Sequence, residues 1–135
     1  MVNALRSVFS LLLGAGLMAL GVGLLGLLLP IRMDLEEVAP QIAGYVMSAY
    51  YAGFVAGSFM AQRIIGRVGH IRAFAAFAAI LTAAVMVHAL VFYIPLWGLM
   101  RAAVGFCMAG LYAVIESWLN VRSPCLLYTS PSPRD

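Results

Sequence analysis

Ionisable side chains inside long apolar segments are the residues of this chain whose chemistry most needs an explanation. Arg101 lies about one turn into the fourth apolar segment, and His88 lies within the third, which has no carboxylate. An ionisable group at such a position is costly unless it is paired or hydrated, so it marks a candidate functional site. Arg101 could favour the charged form of a nearby carboxylate or hold an anion. The alternative is that its charged tip reaches outward to the interface and only anchors the helix.

His88 and Glu116 have fewer roles open to them. A lone histidine in an apolar segment more often hydrogen-bonds a neighbouring backbone or hydroxyl group, and a proton or ligand role is the alternative. Glu116 cannot pair with Arg101 within one helix, because about 15 residues of helix span roughly 22 Å. Its available partners are Arg67 and Arg72, and we predict an ion pair between Glu116 and these arginines.

The sequence holds no set of residues typical of an enzyme or a cofactor site. No nucleophile is matched with a base, and no cluster of metal ligands or glycine-rich phosphate loop is present. We therefore predict that the chain is not an enzyme and binds neither metal nor cofactor.

The composition predicts a membrane protein. Hydrophobic residues make up 64% of the 135 positions and charged residues only 10%, whereas a soluble domain carries about 25% charged residues. These values exclude a soluble domain, a disordered chain and a disulfide scaffold. The formal net charge is +3, but the charges are few and do not form one basic face, so we predict no nucleic-acid partner.

Charged residues divide the chain into four apolar segments. Residues 7–31, 38–62 and 73–100 carry no charge, and residues 96–119 are apolar except for Arg101 and Glu116. A membrane helix needs about 20 apolar residues. We therefore predict an all-α membrane protein with helices at about 8–31, 40–64, 72–93 and 96–119. A short connection that ends at Pro95 makes the last two helices a tight hairpin.

The placement of arginine predicts that both termini of the predicted domain lie in the cytoplasm. Positive charge lies before the first span, between the second and third spans, and after the fourth, at Arg6, Arg63, Arg67, Arg72 and Arg122. The segment between the first and second spans holds Arg32, Asp34, Glu36 and Glu37. This acidic segment is predicted to be external. Tyr93 and Trp97 are predicted to lie in the outer interface, and Trp118 in the inner one.

Small residues recur every four positions in the second predicted span, at Ala49, Gly53, Gly57 and Ala61. This spacing keeps them near one face of a helix, where another backbone can approach closely. We therefore predict that this face packs against another helix. The alternative is the general abundance of glycine and alanine in membrane helices.

The last eleven residues differ in composition from the rest of the chain. Residues 125–135 read CLLYTSPSPRD, which is similar to the translation of an adapter used in sequencing libraries. We expect the native domain to comprise residues 1–124 and the tail to be excluded from it. The alternative is a natural terminus rich in proline and serine.

Two motifs of the chain resemble the signatures of the major facilitator superfamily. The family pattern between spans two and three is roughly G-x-L-A-D-R-x-G-R-R, and residues 62–71 read QRIIGRVGHI, in which Arg67 and Gly69 match and His70 stands for a basic residue. Gln62 replaces the first glycine, and Gly66 replaces the acid. In the fourth span, Arg101, Gly105 and Gly110 match the pattern R-x-x-x-G with a following glycine. The strings GHIRAF, which includes Arg72, and VIESWLN resemble a YcaD-like subfamily.

This resemblance covers residues 1 to about 122 and implies a particular fold and activity. The fold is the N-terminal third of a twelve-helix transporter, with the missing C-terminal helices as partners in the same chain. The activity is proton-coupled movement of a small solute across the bacterial cytoplasmic membrane by alternating access. Arg101, Gly105 and Gly110 would serve coupling or substrate binding, and Glu116 would replace the missing family acid in a gating pair.

Two other classes of membrane protein stay open. One is a genuine four-span exporter that works as an oligomer, although the first span lacks the acid that small multidrug exporters use for proton coupling. The other is a structural or assembly subunit without a transported substrate.

Overall fold

The structure, a computed structural model, describes the backbone of residues 1–127 and the side chains of residues 1–121. These residues form four helices: α1 (Val2–Leu35), α2 (Pro40–Val68), α3 (His70–Leu90) and α4 (Ile94–Leu127). The predicted all-helical chain with four helices is confirmed. The helices extend beyond most of the predicted ends, and α4 includes residues 125–127 of the predicted tail. The rest of that tail lies outside the described residues.

Three helices of the described chain are long and apolar enough to cross a membrane. They are Val2–Leu35, His70–Leu90 and the Ile94–Val121 part of α4. This finding supports a membrane protein, as the composition predicts. α2 has 29 residues, which is long enough, but its tyrosines, serines and glycines make it less apolar. That α2 also crosses a membrane stays a prediction.

The connections between the helices are short. Residues 36–39 join α1 to α2, and residues 91–93 join α3 to α4 as the predicted hairpin. The connection between α2 and α3 is shorter than the predicted helix ends at about 64 and 72 imply, because Gly69 alone separates the two helices. Its φ of 92° is accessible to glycine without a Cβ clash, so one residue is enough to redirect the chain. Arg63 and Arg67 therefore lie on α2, and Arg72 lies on α3.

α4 is the central helix of the bundle, and it packs most extensively against α2. The larger apolar cluster includes, from α3 and α4, Phe77, Leu81, Val104, Cys107 and Leu111. A smaller cluster at the other end joins Leu29, Met33, Val46 and Trp97. α1 is attached mainly there, since its buried residues are Val22, Leu29 and Met33. Most of its apolar surface is exposed.

The small residues of α2 face α4. Gly53, Gly57 and Ala61 are buried, and Ala49 is half-buried. A Cβ at Gly53 would overlap the carbonyl of Ala102, and a Cβ at Gly57 would lie 2.6 Å from the carbonyl oxygen of Phe106. At these positions the backbones of α2 and α4 are in contact, which the absence of a glycine side chain permits.

Candidate functional site

Arg101 is buried inside the helix bundle. It lies seven residues after the first residue of α4, and only 5% of its surface is exposed. Its guanidinium carbon lies 4.8 Å from the ring centroid of Tyr50 on α2. Nε and Nη1 have no hydrogen-bond partner among the described residues. The charged group therefore faces the neighbouring helix and does not reach outward to the interface.

Glycine brings Arg101 and Tyr50 together. Gly105 lies one turn after Arg101, and a Cβ there would overlap the Tyr50 carbonyl. Gly53 lies three residues after Tyr50 on α2, and a Cβ there would overlap the carbonyl of Ala102 on α4. Because both crossings need a glycine, the cation–π contact depends on the small residues of both helices.

The third residue of the predicted motif in α4, Gly110, has a packing role. A Cβ at Gly110 would lie 2.6 Å from Cε2 of Phe77 on α3. Phe77 belongs to the larger apolar cluster and is 4% exposed. Gly105 and Gly110 therefore set the distances from α4 to α2 and α3 respectively, while Arg101 supplies the charge.

His88 forms a hydrogen bond with a backbone carbonyl, as predicted for a lone histidine in an apolar segment. Its Nδ1 donates to the carbonyl oxygen of Ala84 at 2.8 Å, and only 2% of the residue is exposed. Nε2 has no hydrogen-bond partner among the described residues. Since Nδ1 carries the proton of this bond, a neutral His88 presents Nε2 as an acceptor.

Trp97 is fully buried by other residues of the bundle, and its predicted place in the outer interface stays a prediction. The indole Nε1 donates to the carbonyl oxygen of Val91 at 2.6 Å, and the ring centroid lies 5.5 Å from that of His88 and 5.0 Å from that of Phe92. The guanidinium carbon of Arg32 lies 5.8 Å from the Trp97 ring centroid. The end of α1 covers the indole. Tyr93 remains exposed.

A groove of about 640 Å³ opens beside this aromatic cluster, between α1 and α3. Arg32 and Glu36 lie at the end of α1, and His88 lies on α3. The remaining lining is mostly apolar, including Leu25, Leu28, Leu29 and Val85. A groove of this volume and lining has the dimensions of a small-ligand site. None of its residues belongs to the predicted motifs.

At the other end of the bundle, His70 tethers α3 to α4. His70 Nε2 and Ser117 Oγ are hydrogen-bonded at 2.8 Å. Sequence reasoning missed Ser117, although it is adjacent to Glu116. Ser117 lies in the string VIESWLN and His70 in the string GHIRAF, but nothing in the sequence pairs two residues that are 47 positions apart.

The predicted ion pair of Glu116 is not formed. Glu116, Arg67 and Arg72 are all exposed, and no ion pair joins Glu116 to another described residue. An exposed carboxylate and an exposed guanidinium gain little from pairing, because water solvates both. The motif residues Arg67, Gly69, His70 and Arg72 do lie at one end of the bundle, but the polar contact there is made by His70 and Ser117.

Comparison with known proteins gives no match: no protein-family model, curated protein or solved structure resembles this chain significantly.

Proposed function

We propose that this chain supplies the first four membrane spans of a secondary active transporter of the major facilitator type. The complete protein moves a small solute across the bacterial cytoplasmic membrane by alternating access, coupled to protons. The observation that carries the proposal is the buried guanidinium of Arg101, whose Nε and Nη1 have no partner among the described residues. An unpaired buried charge is costly, so in a membrane helix it favours a functional role.

The position of Arg101 fits this role. The residue lies roughly 10 Å along α4 from Ile94, as seven helical residues require. It therefore lies inside the helix and not at its first turn, and the close crossing of α2 and α4 holds it in place. Its partner would then be a carboxylate or an anionic solute from outside the described residues.

The exposed surface of α1 also supports a larger assembly. This helix is the most apolar of the spans, yet it buries little of its length. Gly23 on this helix has no atom of another element within 4 Å of an added Cβ. Further helices of the same chain would cover this face in the complete transporter.

Recovery of the genomic locus is the first test. We expect the genomic reading frame to differ from the adapter-like sequence after about residue 124 and to encode about eight further apolar segments in its place. A natural stop near that position would instead favour the four-span oligomer.

The second test measures transport by the full-length protein. Everted membrane vesicles that contain the full-length protein and a pH-sensitive fluorophore are energised and then given single solutes from a panel. A transported solute should discharge the pH gradient with the wild-type protein but not with Arg101→Gln. Discharge by neither protein for any solute, with both inserted in the membrane, would contradict proton-coupled transport.

A further inference from the structure

We propose that the end of the bundle near His70 binds an anionic phospholipid of the surrounding membrane, with the phosphate beside Arg72 and an acyl chain between α1, α3 and α4. The proposal requires a membrane location but not transport, so it can fail or succeed independently of the proposed function.

Two adjoining grooves form this site. The headgroup groove, of about 510 Å³, is lined by Gly69, His70, Ile71, Arg72 and Trp118, with Val68 and Val121. The chain groove, of about 370 Å³, is lined by Ser7, Leu11, His70, Ile71, Phe74, Val114 and Trp118. The grooves share His70, Ile71 and Trp118, so one ligand can occupy both.

Polarity in the grooves changes with depth in the same direction on all three helices. Ser7 of α1, His70 of α3 and Trp118 of α4 lie toward the helix ends that carry the arginines. Four residues deeper, about 6 Å along each helix, the lining becomes Leu11, Phe74 and Val114. This gradient matches a phospholipid, which has a polar headgroup at the interface and an apolar chain below it.

The charge at this end selects an anionic headgroup. The arginines here are Arg6, Arg63, Arg67 and Arg72, and the only acidic residue at this end with a described side chain is Glu116. None of these arginines forms an ion pair with a described residue. Arg72 lines the headgroup groove, and basic residues near a membrane surface attract anionic lipid. A zwitterionic headgroup carries a cation as well, which Arg72 repels.

The hydrogen bond between His70 and Ser117 gives the site a fixed wall. It joins the start of α3 to α4 at the boundary of the two grooves. Free phosphate would use only the headgroup groove, whereas a phospholipid also fills the apolar surface beside Phe74 and Val114. We therefore assign the site to a lipid.

The test uses the 135-residue chain in nanodiscs of phosphatidylcholine that contain trace spin-labelled phosphatidylglycerol or phosphatidylcholine. The ratio of the two association constants, from the motionally restricted fraction of each label, gives the selectivity. We expect preference for phosphatidylglycerol and a loss of about fivefold in Arg72→Gln, since one basic residue near the surface contributes about 1 kcal/mol. Circular dichroism confirms that each variant keeps its helices.

Two further variants distinguish lipid binding in the two grooves from a general attraction of anionic lipid to positive charge. Arg63→Gln removes the same charge at the same end of the bundle but lines neither groove, so its selectivity should stay within about twofold of wild type. Leu11→Trp leaves the charge unchanged and enlarges a half-buried wall of the chain groove, so it should lower the association of phosphatidylglycerol.

Several results would overturn the proposal. Equal losses in Arg63→Gln and Arg72→Gln would mean that only the net charge attracts the lipid. Displacement of labelled phosphatidylglycerol by inorganic phosphate alone would mean that the chain groove contributes nothing. Absence of selectivity in a helical wild-type chain would mean that another occupant, such as a further helix or a second copy, covers the grooves.

Discussion

Arg101 and Tyr50 lie on different helices, yet the guanidinium carbon of one is only 4.8 Å from the ring centroid of the other. Each residue lies close to a glycine contact between the same two helices, at Gly53 and Gly105. Charge and close packing are therefore coupled, since separation of α2 from α4 would also remove the aromatic face from the guanidinium. The contact with Tyr50 therefore depends on the planar shape of the Arg101 guanidinium as well as on its charge.

If the chain belongs to the proposed transporter, Arg101→Lys should impair transport by the full-length protein although the charge is kept. A lysine cannot reproduce the planar contact with Tyr50, and its ammonium is more strongly hydrated. If the contact is worth about 1–2 kcal/mol when desolvated, the solute flux should fall about tenfold. Flux of labelled solute into vesicles gives the measurement, with Tyr50→Phe as a control that keeps the ring. Wild-type flux and pH dependence in Arg101→Lys would remove Arg101 from the mechanism.

Gly53→Ala should destabilise the bundle, whereas Gly66→Ala on the same helix should not. The new Cβ at position 53 would overlap the Ala102 carbonyl, while position 66 has nothing within 4 Å. We expect a loss of about 1–3 kcal/mol for Gly53→Ala, as for other overpacked interiors. Gly66→Ala should be neutral or stabilising by up to about 1 kcal/mol, because alanine favours helix. Reversible unfolding in mixed micelles compares the two, and similar stabilities would mean that α2 and α4 are farther apart.

Ser117→Ala should weaken the attachment of α3 to α4, while Glu116→Gln should leave it unchanged. The first change removes the hydrogen bond to His70, which is worth about 0.5–1.5 kcal/mol. The second alters an exposed carboxylate without an ion pair to a described residue. Hydrogen exchange of the amides near Gly69 should therefore accelerate only in Ser117→Ala. Faster exchange in Glu116→Gln would restore the ion pair that the sequence predicts.

The amino-acid pattern predicts the helices well but not which side chains they enclose. Uncharged stretches limit where a helix can cross a membrane, and the small residues around Gly53 predict a close helix contact. Neither pattern identifies α4 as the partner, because that depends on the arrangement of all four helices. Arg101 therefore had two possible orientations until the position of Tyr50 was known. The turn at Gly69 was also hidden, since a positive φ in one glycine replaced an expected loop.

Trp97 and Trp118 should differ clearly in fluorescence, because one is fully buried and the other is half-buried. The chain has two tryptophans, so Trp118→Phe leaves Trp97 as the single emitter and Trp97→Phe leaves Trp118. An interfacial indole meets water and headgroups, whereas the Trp97 indole donates its proton to the Val91 carbonyl within the bundle. Trp97 should therefore emit at shorter wavelength and resist quenching by acrylamide. Lipids brominated along the acyl chain control for burial in the bilayer: they should quench Trp97 weakly, because protein rather than lipid surrounds it. Strong quenching of Trp97 by acrylamide would instead place this residue in the interfacial belt that the sequence predicts.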